Sequence, residues 1–230
     1  MLQERSNKLA KVSEVYAENT VLRALINTIP YIGSSLDILF ASKGQKIIKS
    51  RLTQILEDLK VEMNRLQENM IDSEYLESEE WFDLVLRGFE AAAKTRDREK
   101  ICLYSKVLRG AFTIQNREQS YPEEYLDILA ELILKEIEVA RVIYSQQRDS
   151  PQNDENELKW AIQKGWKQLS EQCSIPKEDL PFVLLRLQRS GLIREIIGTY
   201  MDYKGGVYII TGSFRKLMRY LGEISENAPT

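Results

Sequence analysis

Residues 169–221 read LSEQCSIPKEDLPFVLLRLQRSGLIREIIGTYMDYKGGVYIITGSFRKLMRYL, and the order of segments in them is that of a winged helix-turn-helix. Ile175-Pro176 predicts a helix break. After it, Leu180, Val183, Leu184 and Leu187 recur at three- and four-residue steps, which sets them on one buried helical face. Gly191 predicts the end of that helix. Residues 192–197 and 207–210 are short β-prone runs separated by a loop containing Gly205-Gly206, the signal of a β-hairpin that here forms the wing.

Composition bounds the rest. The 230-residue chain is long enough for one large or two small domains, and 43 % hydrophobic with 29 % charged residues describes a folded globular protein rather than a disordered one. The net charge of −3 argues against a protein that coats nucleic acid by bulk charge. Two cysteines, Cys102 and Cys173, lie far apart, and no basic-then-apolar leader opens the sequence. These features predict a reducing, cytoplasmic setting.

Near the N-terminus, Leu9, Val12 and Tyr16 begin an apolar helical stripe. Residues 22–41 (LRALINTIPYIGSSLDILFA) are the least charged window, holding only Arg23 and Asp37. Pro30 and Gly33 interrupt it, so the expectation is a helix to about Thr28, a corner, and a short helix from Ser34 or Ser35. Lys43, Lys46, Lys49 and Arg51 follow with no acidic residue among them, an order that anionic lipid headgroups attract. A membrane or partner contact through Ile29, Tyr31, Ile32, Leu36, Ile38, Leu39, Phe40, Lys43, Lys46 and Lys49 therefore competes with a buried helical corner. The corner is the stronger reading, because a spanning helix needs about 20 predominantly apolar residues. An oligomer contact is the third.

Residues 45–71 predict the longest helix. Leu52, Leu56, Leu59, Met63, Leu66 and Met70 form a heptad seam, widened by Ile48 and Ile55, while Glu62 falls off it and is expected to tolerate replacement by Ala. The seam wants a partner helix, either within a bundle or, across residues 52–70, in a homo-oligomer. Ser78 offers an N-cap with Glu79 and Glu80 in the first turn. Phe82, Val85, Phe89 and Ala93 share a face of the helix that follows. After the charged break at 95–100, the set Ile101, Tyr104, Leu108, Ala111 and Phe112 repeats the pattern. Pro122 then opens a helix marked by Tyr125, Leu129 and Leu132, which yields near Lys135 to one carrying Ile137, Ala140 and Tyr144. The polar run 150–157 (SPQNDENE) is the expected domain boundary.

The fold class that results is mainly all-α. An N-terminal multi-helix bundle with a long amphipathic helix occupies residues 1–149, a linker 150–157, and a C-terminal winged helix-turn-helix domain with a small β-hairpin 158–224.

The chemistry of enzymes is largely missing. There is no histidine, which removes His-based triads, imidazole bases and most zinc sites. Glycines 33, 44, 88, 110 and 165 are isolated rather than grouped in a phosphate-cradling loop. No catalytic residue, metal or cofactor is expected. From Phe182 to Leu221, seven basic residues (Arg186, Arg189, Arg194, Lys204, Arg215, Lys216 and Arg219) face only Glu195 and Asp202, which favours an anionic or a protein partner. Yet the front of the recognition helix is Glu178, Asp179, Pro181 and Phe182, where Arg, Lys, Asn or Gln would be needed to read base edges. A protein-docking or structural wing is therefore the leading reading and DNA contact the alternative.

The order of parts resembles bacterial abortive-infection proteins of the Abi-alpha type and related bacterial helical plus winged-helix proteins. The likeness runs over residues 79–221. It is carried by the helical region 79–113, by EYLDILAEL at 124–132, by the L-x-x-x-GLI pattern at 187–193, and by the strand that leads into the last helix at 208–212. The resemblance implies a role in limiting phage infection and names no target. The acidic helix front and the apolar window 22–41 have no counterpart in it. The expectation is a non-enzymatic defence protein acting through interaction surfaces. In one version the window is stored against the bundle and released to the inner membrane, guided by the basic block at 43–51. In the other the winged helix docks DNA, as a transcriptional regulator, or a protein, as an adaptor.

Overall fold

The computed structural model describes residues 44–66, 70–113, 121–148, 165–196 and 206–222. The described residues are mostly helical, with one small antiparallel sheet. The chain divides into two compact units, residues 1–126 and 127–230.

In the first unit, α1 (Gly44–Met63), α3 (Glu79–Lys94) and α4 (Arg98–Ala111) pack on one another, and the short α2 (Ser73–Leu76) lies against α3. Ser78 is the N-cap that the sequence predicts, its hydroxyl accepting the Trp81 N–H at 3.2 Å. Asp72 caps α2 in the same way through Tyr75. Of the apolar set read on α4, Ile101, Tyr104, Leu108, Ala111 and Phe112 are all buried. On α3 the buried face is centred instead on Trp81, Leu84, Val85, Gly88, Phe89 and Ala92, which leaves Phe82 and Ala93 at its edge. The face turns because α3 is flanked by both α1 and α4. Gly88 serves the second contact, since a Cβ there would meet Leu108 Cδ1 at 3.2 Å. Trp81 meets the Phe112 ring edge-on at 5.5 Å. Arg51 on α1 donates to the Ala93 carbonyl at 2.6 Å, satisfying a carbonyl in the last turn of α3.

Two expectations about the long helix are corrected. It ends at Met63 rather than Ile71. Residues 64–66 turn, and Ile71 pairs with Thr113 while the Asp72 N–H donates to Phe112 O at 2.9 Å. That extended tether to the end of α4 is incompatible with one continuous helix. The buried face is also rotated: Ile55, Leu59, Glu62 and Met63 are buried, whereas Leu52, Leu56 and Leu66 are half-buried. Glu62, expected on the surface, is only 5 % exposed, and its carboxylate accepts from Arg65 at 2.6 Å and faces Arg109 Nε at 3.8 Å.

The second unit holds the C-terminal half of α5 (Pro122–Glu131), then α6 (Leu134–Gln147), α7 (Gly165–Gln172), α8 (Leu180–Arg189), β1 (Ile193–Glu195), β2 (Tyr208–Ile210) and α9 (Gly212–Tyr220). α7 gives way at Cys173 to a turn in which Ser174 takes φ +50° and the Ser170 hydroxyl donates to Ile175 O. Pro176 O then accepts from the Asp179 and Leu180 N–H groups as α8 starts. Leu180, Val183, Leu184 and Leu187 form the buried face of α8, as their spacing predicts. Gly191 stands beyond its end at φ +70°, the left-handed conformation that glycine adopts without a Cβ penalty. The wing pairs Ile193 with Ile210, Arg194 with Ile209 and Glu195 with Tyr208. Thr211 joins the pieces: its hydroxyl caps α9 through Phe214 N at 3.1 Å and donates to Gly191 O at 2.6 Å.

The domain division read from sequence falls on the run 150–157, which lies outside the described residues. By its contacts the chain divides between Leu126 and Asp127. α6, which the sequence reading placed in residues 1–149, packs on α8 and β2.

Candidate interaction face of the winged helix

A two-stranded hairpin is marginal by itself, and α6 supplies the missing neighbour. Leu192 with Thr211 and Ile196 with Val207 are hydrogen-bonded on the β1 side, so Tyr208 O and Ile210 N point to the opposite edge. There the buried amide of Gln147, at the end of α6, donates to Tyr208 O at 2.9 Å and accepts from Ile210 N at 2.8 Å. One side chain thus reproduces the two bonds that a third strand would make. Tyr144 on α6 packs its ring against Phe214 of α9 at 5.3 Å.

The other end of α6 is fixed by Glu136, which is 1 % exposed. One carboxylate oxygen accepts the Ile133 N–H at 2.9 Å; the other lies 2.6 Å from Arg186 Nε. Because that Nε–H is not aligned on the oxygen, the contact is an ion pair rather than a hydrogen bond. The same guanidinium donates through Nη2 to Glu131 O at 2.8 Å.

The basic residues read from the sequence therefore separate. Arg186 is committed to Glu136 and Glu131. Arg215 is committed to the end of α6, donating to Arg148 O and, at 3.3 Å, to Gln147 O. Arg189 stands 3.8 Å from the Glu131 carboxylate with its side chain 77 % exposed. Arg194 on β1 and Arg219 on α9 are exposed and Lys216 is half-buried, while Lys204 lies outside the described residues. What α8 turns to solvent is a stripe at i, i+4, i+7 and i+11: Glu178 just before the helix, then Phe182, Leu185 and Arg189, with Pro181 beside Phe182. Phe182 is 62 % and Leu185 60 % exposed. The sequence signal for this stripe was available in the acidic and aromatic helix front. The signal for Gln147 and Glu136 was not, since both are polar residues on a helix.

The apolar window and its candidate contacts Ile29, Tyr31, Ile32, Leu36, Ile38, Leu39, Phe40 and Lys43 lie outside the described residues. Lys46 and Lys49 are exposed on α1 beside Ile47, itself 55 % exposed. Among the described residues no helix is long and apolar enough to cross a membrane, and no cluster of metal-ligating side chains occurs. Burial raises the Cys173 thiol above its ordinary range, with the Glu138 carboxylate adding to the effect and Lys135 opposing it. Burial and then Asp58 do the same to Cys102. Both thiols are thereby disfavoured as thiolate nucleophiles. Burial and the Asp97 carboxylate push the Tyr104 phenol up to about 12. No protein-family model matches the chain, and no curated protein or solved structure is significantly similar to it.

Proposed function

We propose that the protein is a non-enzymatic interaction protein whose winged helix docks another protein through the outer stripe of α8. The observation that carries this reading is the pair Phe182 and Leu185, more than half exposed at the positions where a DNA-reading helix presents polar side chains to base edges. Two of the arginines that make the segment basic are spent inside the unit. The raised thiols speak only against a cysteine nucleophile. In the setting that the Abi-alpha resemblance suggests, docking would serve bacterial defence, with the chain in the cytoplasm or peripheral at the inner membrane.

The exposed Arg194 and Arg219 favour one other reading, salt-sensitive phosphate contact without sequence readout. Expression in bacteria under phage challenge separates the two. Phe182→Asp with Leu185→Asp should abolish any effect on viability or plaque formation, while Arg194→Glu with Arg219→Glu should preserve it. The reverse pattern would overturn docking.

A further inference from the structure

The outer stripe of α8 is its own complement. Its N-terminal end carries the exposed Glu178 and Asp179, its C-terminal end the exposed Arg189, and Phe182 and Leu185 stand between them. A two-fold axis crossing the helix midway between Phe182 and Leu185 also lies midway between Glu178 and Arg189. Two copies of α8 laid antiparallel about that axis place Phe182 of one protomer on Leu185 of the other, and Glu178 of each opposite Arg189 of its partner. Apolar contact then occupies the centre and opposite charges both ends, the arrangement of an isologous interface with a polar rim. Antiparallel helix dipoles add in the same sense.

We propose, resting on the docking reading above, that the partner this surface fits is a second copy of the same chain, joined α8 to α8. The intramolecular contact that competes for Arg189 is weak: it reaches Glu131 at 3.8 Å, with side chains 77 % and 63 % exposed. An exposed pair of that kind contributes little and is readily exchanged. Two helices of about three turns bury an area at the low end of specific interfaces, below about 1,200 Å² in total, so the dimer is a weak one with a dissociation constant of micromolar order.

Sedimentation velocity on the full chain over a wide concentration range tests this. Wild type should move from monomer to dimer. Glu178→Arg and Arg189→Glu should each weaken the dimer by about tenfold or more, because like charges then face each other. The double reversal Glu178→Arg with Arg189→Glu should restore it, and Phe182→Asp should abolish it. These positions are exposed, and unchanged circular dichroism confirms that each variant is folded. A dimer indifferent to all four variants, or a double reversal no better than the singles, would overturn the proposal. A wild type that stays monomeric and binds no duplex DNA ends self-pairing and leaves docking of a different protein standing; one that stays monomeric and binds duplex through Arg194 and Arg219 ends both.

Discussion

Replacing Arg186 by Ala should destabilise the second unit far more than any loss of a surface charge. The guanidinium lies 2.6 Å from a Glu136 oxygen whose side chain is 2 % exposed, and it also donates to Glu131 O at 2.8 Å. Removing it leaves the buried carboxylate, among the described residues, with only the Ile133 N–H, and breaking a buried pair in this way costs about 3–5 kcal/mol. Because Arg186 is itself 33 % exposed, part of that cost is relieved by water, and the lower end of the range is expected. Arg219→Ala, an exposed change, should stay within about 0.5 kcal/mol. Neutralising the carboxylate as well should return much of the loss: Glu136→Gln with Arg186→Ala should be more stable than Arg186→Ala alone, since a neutral amide oxygen still accepts from Ile133. Hydrogen exchange of the α6 and α8 amides measures the stability of this unit directly. Equal protection in Arg186→Ala and Arg219→Ala would refute the assignment of Arg186 as an internal fastener.

Gln147→Leu should cost about 2–5 kcal/mol by leaving Tyr208 O and Ile210 N unpartnered in a buried place, read as faster exchange at the wing relative to Gln146→Leu. Glu62→Ala should lower the melting temperature of the first unit at least as much as Leu66→Ala, because Glu62 is buried against Arg65 and Arg109 whereas Leu66 is half-buried; the opposite ranking would restore the heptad seam. Tyr104 supplies a pH dependence: its folded value, raised to about 12, exceeds the unfolded value near 10, so the stability it contributes is intact below about pH 10 and is lost as pH rises towards 12. Tyr104→Phe should flatten that limb of a stability-against-pH curve.

Apolar periodicity and punctuation made much of the fold legible. Leu180, Val183, Leu184 and Leu187 named the buried face of α8, Ser78 and Pro122 named helix starts, and Ile175-Pro176 and Gly191 bracketed the recognition helix. Those signals are local, fixed by backbone geometry within a turn or two. What stayed hidden depends on partners distant in sequence. Glu62, Glu136 and Gln147 look like surface residues until Arg109, Arg186 and the edge of β2 are brought beside them. The helical pattern of 45–71 likewise continues past Met63, and only the tether of Ile71 and Asp72 to the end of α4 explains why the helix does not. The site was half legible. Its acidic front and Phe182 could be read from residues 178–182, but the exposure of Leu185 could not, and the basic segment could not be sorted, because sequence gives a charge without saying whether its partner lies in solvent or inside the fold.

If α8 docks a protein, as proposed, rather than reading nucleic acid, the chain should have no saturable affinity for a DNA duplex. Fluorescence anisotropy of a labelled duplex titrated with wild-type protein, at low salt and again at physiological salt, tests it most directly. No saturable binding is expected at either salt concentration. Saturable binding that weakens steeply with salt and is lost in Arg194→Glu with Arg219→Glu, while Phe182→Asp retains it, would overturn the proposed docking role of α8.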